Sequence, residues 1–210
     1  MIDVKTFQVG SLGTNCYVVT DKATGEALVV DPGGVSAGLM TALEKAGEEN
    51  IKYILLTHGH YDHIKSAKEL SERFDADIVI GEKEETFLFD ENLNLAPFLG
   101  CINFTPFEAD IRLSEGDKLS LGETEFTFIE TPGHTVGSGC FILSKDNVIF
   151  SGDTLFRESM GRTDFPTGSP MDMLRSLRRL KELRGDYKVY PGHNASTTLS
   201  YERENNMYMA

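Results

Sequence analysis

The chain has 210 residues, 40% of them hydrophobic, which suits the core of one compact domain spanning 1–210. Its 33 acidic against 20 basic side chains leave a formal charge of −13, which repels a phosphate backbone and sets nucleic acid aside as a partner. No apolar run approaches membrane-span length, and Cys16, Cys101 and Cys140, odd in number and without a C-x-x-C pair, indicate neither a disulfide framework nor a sulfur-rich zinc site.

Met1 to Phe7 alternates polar and apolar residues and carries no basic leader, so it reads as the first strand of a cytoplasmic protein. Strands are expected at about 2–8, 15–20 and 26–31, and Ala27-Leu28-Val29-Val30 is apolar enough for burial on both faces. Asp31-Pro32-Gly33-Gly34 stops that strand. From Val35 to Glu48, Leu39, Met40, Leu43 and Ala46 follow helical spacing with Ser36 as cap. A strand from Tyr53 to Thr57 leads into a histidine-rich stretch, then a helix from about Asp62 to Phe74 and a β-rich run from Ala76 to Ile80.

Residues 82–109 begin as a charged helical segment and continue through Phe87, Phe89, Phe98, Phe104 and Phe107 among Pro97 and Pro106. Two readings stand side by side: a loop-rich cover over the active site, or a surface insertion whose aromatics pack on the core. Further strands are expected at 119–121, 126–129, 139–143 and 147–150, then a helix at about 170–184 and a last strand, Lys188 to Tyr190. This order suits an α/β sandwich whose loops gather functional groups at one edge.

All five histidines lie in three short motifs: Thr57-His58-Gly59-His60-Tyr61-Asp62-His63, Pro132-Gly133-His134-Thr135 and Pro191-Gly192-His193. Between the last two comes Ser151-Gly152-Asp153-Thr154. His58 and His60, one residue apart on an extended chain, point the same way and can meet one metal. Asp62 and His63 come as the chain turns into a helix, which aims them at a second position nearby. The Asp153 carboxylate has two oxygens that can bridge two cations, and His134 and His193 again follow strand ends. Five imidazoles plus Asp62 and Asp153 suffice for two divalent ions, most simply zinc, with iron or manganese also compatible.

These residues resemble the metallo-β-lactamase superfamily, and within it the glyoxalase II-like hydrolases. The resemblance runs from Gly13-Thr14-Asn15-Cys16-Tyr17 and Val30-Asp31-Pro32-Gly33 through the histidine motifs to Tyr190-Pro191-Gly192-His193, with the short bacterial subgroup's Gly152-Asp153-Thr154-Leu155-Phe156 and Gly161-Arg162-Thr163-Asp164-Phe165-Pro166. It implies an αββα sandwich of two mixed β-sheets flanked by helices. It implies that His58, His60 and His134 hold one metal, that Asp62, His63 and His193 hold the other, and that Asp153 bridges them. Asp31 and Thr135 would orient ligands, and Arg162 resembles the basic residue that family places near the glutathione carboxylate. The chain departs from full-length glyoxalase II in stopping soon after His193, in carrying Asp164 and Ala195 where glutathione-contacting tyrosines are expected, and in Lys65 where small residues are usual.

The expected reaction is attack by a metal-bridging hydroxide on the carbonyl carbon of a small-molecule acyl thioester such as a hydroxyacylglutathione, with Asp62 and Asp153 as catalytic carboxylates. The competing readings are a mononuclear iron persulfide dioxygenase, a lactone or phosphoester hydrolase of the same fold, and a non-catalytic metal-binding regulator.

Overall fold

A computed structural model describes residues 1–209. The first sheet has the order β1 (Ile2–Val9), β2 (Thr14–Asp21), β3 (Ala27–Val30), β4 (Ile51–Leu56), β5 (Asp77–Gly81) and β6 (Ile111–Leu113). The first three strands are antiparallel and the pairings from β3 to β6 are parallel. In the second sheet, β7 (Lys118–Leu121), β8 (Thr124–Glu130), β9 (Gly139–Leu143) and β10 (Val148–Gly152) form a meander. A parallel strand β13 (Lys188–Pro191) and a short edge strand β14 (Thr197–Thr198) complete it, and a separate hairpin pairs β11 (Leu155–Phe156) with β12 (Ser159–Met160).

The period-two alternation of strand side chains sorts the core into layers. Ala27 and Val29 of β3, with Ile54 and Leu56 of β4, meet α1 (Ala37–Ala46) and α3 (Ala67–Phe74) through Leu39, Leu43, Leu70 and Phe74. Their neighbours Leu28, Val30 and Leu55 turn the other way, onto Phe126, Phe128, Phe141 and Phe150 of the second sheet. Each of these four phenylalanines is essentially inaccessible, and burying such a ring contributes about 1.5–3 kcal/mol. The outer face of the second sheet receives Met173, Leu177 and Leu180 of α5 (Pro170–Lys181). Two helical layers thus enclose two mixed sheets, as the αββα expectation requires. No helix among the described residues is long and apolar enough to cross a membrane.

Local chemistry sets the helix starts. Ser36 accepts the Leu39 N–H at the head of α1, and Ser169 accepts the Asp172 N–H ahead of Pro170 in α5. The expected helix from 62 to 74 is instead two: α2 (Tyr61–Ile64) and α3. The amide of Ser66 leaves the helical ladder and donates to Pro32 O at 2.9 Å, so the break ties the histidine segment to the loop after β3. Gly33 in that loop lies so close that a β-carbon there would stand 1.5 Å from Asp62 O. The chain also carries elements absent from the sequence reading: β6, the β11–β12 hairpin, β14 and α6 (Leu199–Asn205). Residues Glu82–Leu88 form a 3-10 helix and α4 (Glu91–Asn94) follows it.

Candidate metal centre

The carboxyl ends of β4, β8, β10 and β13 open on one edge of the sandwich. From them project His58, His60, Asp62 and His63; His134; Asp153; and His193. The donor atoms converge in three overlapping groups: His58 with His60 and His134, His58 with His63 and Asp153, and Asp62 with His63 and His193, each within 4.8 Å of one another. Asp153 stands between the outer groups, with Oδ1 3.5 Å from His63 Nε2 and Oδ2 3.5 Å from His134 Nε2 and 3.7 Å from His193 Nε2. Asp62 Oδ2 lies 3.2 Å from His193 Nε2 and 3.6 Å from His63 Nε2. At Gly192 a β-carbon would stand 2.2 Å from Asp153 Oδ1 and 2.7 Å from the His63 ring, so only glycine lets the β13 loop close on the centre.

Three of the five rings, His58, His63 and His134, are aimed by their other nitrogen. His63 Nδ1 faces Asp31 Oδ2 at 3.0 Å, and the Arg162 carbonyl receives His134 Nδ1 at 2.7 Å. Asp31 also accepts the Thr57 N–H at 2.8 Å and the Thr57 hydroxyl at 2.7 Å, and that hydroxyl oxygen lies 3.2 Å from His58 Nδ1. One buried carboxylate thereby sets the tautomers of His58 and His63, presenting Nε2 of both to the centre. His60 Nδ1 and His134 Nε2 stand 2.8 Å apart. Two ring nitrogens at that separation need a shared proton or a shared cation.

The donor cluster fits divalent metal on grounds independent of the motif. Of four buried side-chain polar atoms without a hydrogen-bond partner among the described residues, three are here: His58 Nε2, His60 Nε2 and Asp153 Oδ1. Buried polar atoms are ordinarily paired, so three orphans on residues of one donor cluster mark a binding position. Burial, with the neighbouring imidazoles, pushes the His58 and His60 pKa values well down, which keeps both rings neutral and able to donate lone pairs. Burial opposes charge on Asp62, yet His63 and His193 hold its carboxyl below the usual range. His63 is also pulled down by burial, but Asp153, Asp62 and Asp31 together raise it to about 10.

Several residues that hold the centre carry no individual signal in the sequence. Glu84, wholly buried, accepts the Gly59 N–H at 2.8 Å on one oxygen and the Gly137 N–H at 2.7 Å on the other, clamping the His58–His60 loop to the His134 loop. Thr135 reaches this carboxylate and Ser138 Oγ rather than a histidine ring. Thr14 donates to Asp62 Oδ2 at 3.2 Å. Asn15 donates to Pro191 O and Asn194 O, and the Tyr17 hydroxyl donates to Pro191 O, so β2 fixes the His193 loop.

A cleft of about 460 Å³ opens over the donors. Residues of segment 82–109 go to two places. Phe87 is buried against Gly59 and Phe107 joins the core, whereas Leu95, Phe98 and Leu99 wall the cleft. Lys65 is not at the centre; it lines a separate surface groove with Lys68, Glu69 and Cys101.

Known proteins resemble this chain in sequence and fold. The sequence profile of the Metallo-beta-lactamase superfamily matches residues 9–193. A relative from Haemophilus influenzae, "Hydroxyacylglutathione hydrolase GloC", is 33% identical over 99% of this chain and 98% of its own length. Among solved structures, the BLEG-1 B3 metallo-beta-lactamase superposes with a TM-score of 0.91 at 33% identity, covering 100% of both chains. A di-iron-bound form of TTHA1623 superposes at 0.85 with 31% identity, covering 98% of this chain and 100% of that one. With its sandwich, its cluster of imidazoles and carboxylates and a profile match over most of its length, this chain belongs to the metallo-beta-lactamase superfamily.

Proposed function

We propose that this chain is a dinuclear metal-dependent hydrolase of acyl thioesters. His58, His60 and His134 would hold one ion and Asp62, His63 and His193 the other, with Asp153 bridging. The observation that carries the reading is the Asp153 carboxylate, whose two oxygens face histidines of different groups. Two divalent ions there would supply hydroxide near neutral pH and positive charge for an oxyanion. Imidazole and carboxylate donors accept zinc, iron or manganese; the di-iron relative is consistent with that breadth.

The protein's own groups then divide the work. Asp62, kept ionised and fixed by Thr14, faces the cleft and can accept a hydrogen bond from the attacking nucleophile, setting its direction. The five histidines all lie among the donors, leaving none for acid catalysis. That favours a leaving group needing no proton, and a thiolate is one. The relative carrying a hydroxyacylglutathione hydrolase name supports the same bond class. Asp153→Ala should lose both the paired ions and thioester turnover; a variant that retains both would overturn the assignment.

A further inference from the structure

We propose that the cleft selects an uncharged thioester with an apolar acyl chain, and that Asp164 enforces this by occupying Arg162, the one lysine or arginine among the residues lining it. The proposal rests on the thioesterase reading for the bond cleaved, but the selection follows from the cleft alone.

Beyond the donor residues, the cleft wall is dominated by Leu12, Leu95, Phe98, Leu99, Met160 and Phe165, with Phe156 against His193. Phe98 is 72% exposed and Leu12 52% exposed at its mouth. Large apolar side chains left in water beside a reactive centre suit an apolar ligand that would cover them. Each further methylene so buried adds about 0.8 kcal/mol.

Arg162 would be the anchor for an anionic carrier, but its guanidinium is already engaged. Nε donates to Asp164 Oδ1 and Nη2 to Asp164 Oδ2, both at 2.7 Å, in a bidentate pair, while the guanidinium lies 3.8 Å from the Phe165 ring centre. Phe165 in turn packs edge-on against Phe98 and His60. The pair fills the Nε–Nη2 edge of the guanidinium, so an entering carboxylate or phosphate must either displace Asp164 or take the remaining Nη1 edge beside a carboxylate that repels it. The chain's charge of −13 adds long-range repulsion of the same sign.

The test is calorimetric titration of the zinc-loaded protein with two thioethers that cannot be hydrolysed: neutral S-hexyl-N-acetylcysteamine and anionic S-hexylglutathione. Wild type should bind the neutral compound more tightly. Asp164→Asn should shift the ratio of the two dissociation constants toward S-hexylglutathione by about threefold to fivefold, the scale of an exposed ion pair, and Asp164→Glu should restore the wild-type ratio. Tighter binding of S-hexylglutathione by wild type, or a ratio unchanged in Asp164→Asn, overturns the proposal. Assaying the matching hexanoyl thioester separates the two readings: neutral preference without hydrolysis supports the cleft assignment while removing thioesterase activity.

Discussion

Glu84 Oε2 accepts the N–H of Gly59, the residue between His58 and His60, at 2.8 Å, although Glu84 belongs to a segment far from the histidine motifs in the chain. Its other oxygen holds Gly137. Burial pushes the Glu84 carboxyl from 4.5 up to about 7, against the pull of the Gly59 amide, the Thr135 hydroxyl and the Gly137 amide. An acid whose pKa is raised on folding costs nothing below its unfolded value, and its ionisation costs stability fully only above its folded value. Between those limits the metal-stripped protein should lose on the order of 3 kcal/mol through this group. Urea unfolding at pH 5 and pH 8 checks it: wild type should lose stability relative to Glu84→Gln as pH rises, and an identical difference at both values contradicts it.

Asp31 is the second remote clamp. Replacing it with alanine removes the acceptor for His63 Nδ1 and for both donors of Thr57. Loss of such a ligand-orienting carboxylate typically weakens metal binding by about tenfold to a hundredfold. A chelator-competition titration should find both ions weakened, the one assigned to His63 most, because Asp31 meets that ring directly and the His58 ring only through Thr57. Equal affinity for both ions in Asp31→Ala and wild type would remove Asp31 from the centre's support.

Metal binding should release a proton. Without metal, His63 carries its proton to about pH 10, and that protonation stabilises the fold fully below the ordinary histidine value of 6.5 and ceases as pH rises through about 10. An imidazolium cannot coordinate, so the ion must displace the proton. Apparent affinity at the His63 position should therefore rise by up to about tenfold per pH unit through the neutral range. Zinc titrations in buffers of different ionisation enthalpy would count the proton, and a heat independent of the buffer would contradict this.

Gly33→Ala tests the loop after β3. The new β-carbon would stand 1.5 Å from Asp62 O and 2.5 Å from its carbonyl carbon, contacts made by backbone that cannot swing aside. Overpacking of this kind costs about 1–3 kcal/mol or more. Chemical denaturation should show that loss together with weakened metal binding, because the displaced residue is itself a proposed ligand. Wild-type stability would show that the two segments do not meet.

The parts legible in the sequence are those where one side chain or one local period decides. Ala27–Val30 is apolar throughout because it is covered on both faces, and the histidines are few enough that their clustering carries information. What escaped depends on partners distant in sequence. Glu84 sits in the charged helical start of segment 82–109, and only the folded chain reveals which of its glutamates turns inward. The stop between α2 and α3 has no proline or glycine to announce it, because the Ser66 amide is drawn off by Pro32. Strand β14 and α6 are held by buried Glu202, which accepts from Thr197 Oγ1 at 2.6 Å and from the Glu158 N–H at 2.8 Å.

The proposed enzyme holds two ions and cleaves thioesters. Its most direct test is to purify the protein without added metal, quantify zinc, iron and manganese per chain, and assay that same sample on hexanoyl-N-acetylcysteamine and S-D-lactoylglutathione while monitoring oxygen. About two ions per chain, with thiol release and no oxygen uptake, is the predicted result. One iron per chain with oxygen consumed on a glutathione persulfide, or two ions with no thioester cleaved, would contradict it.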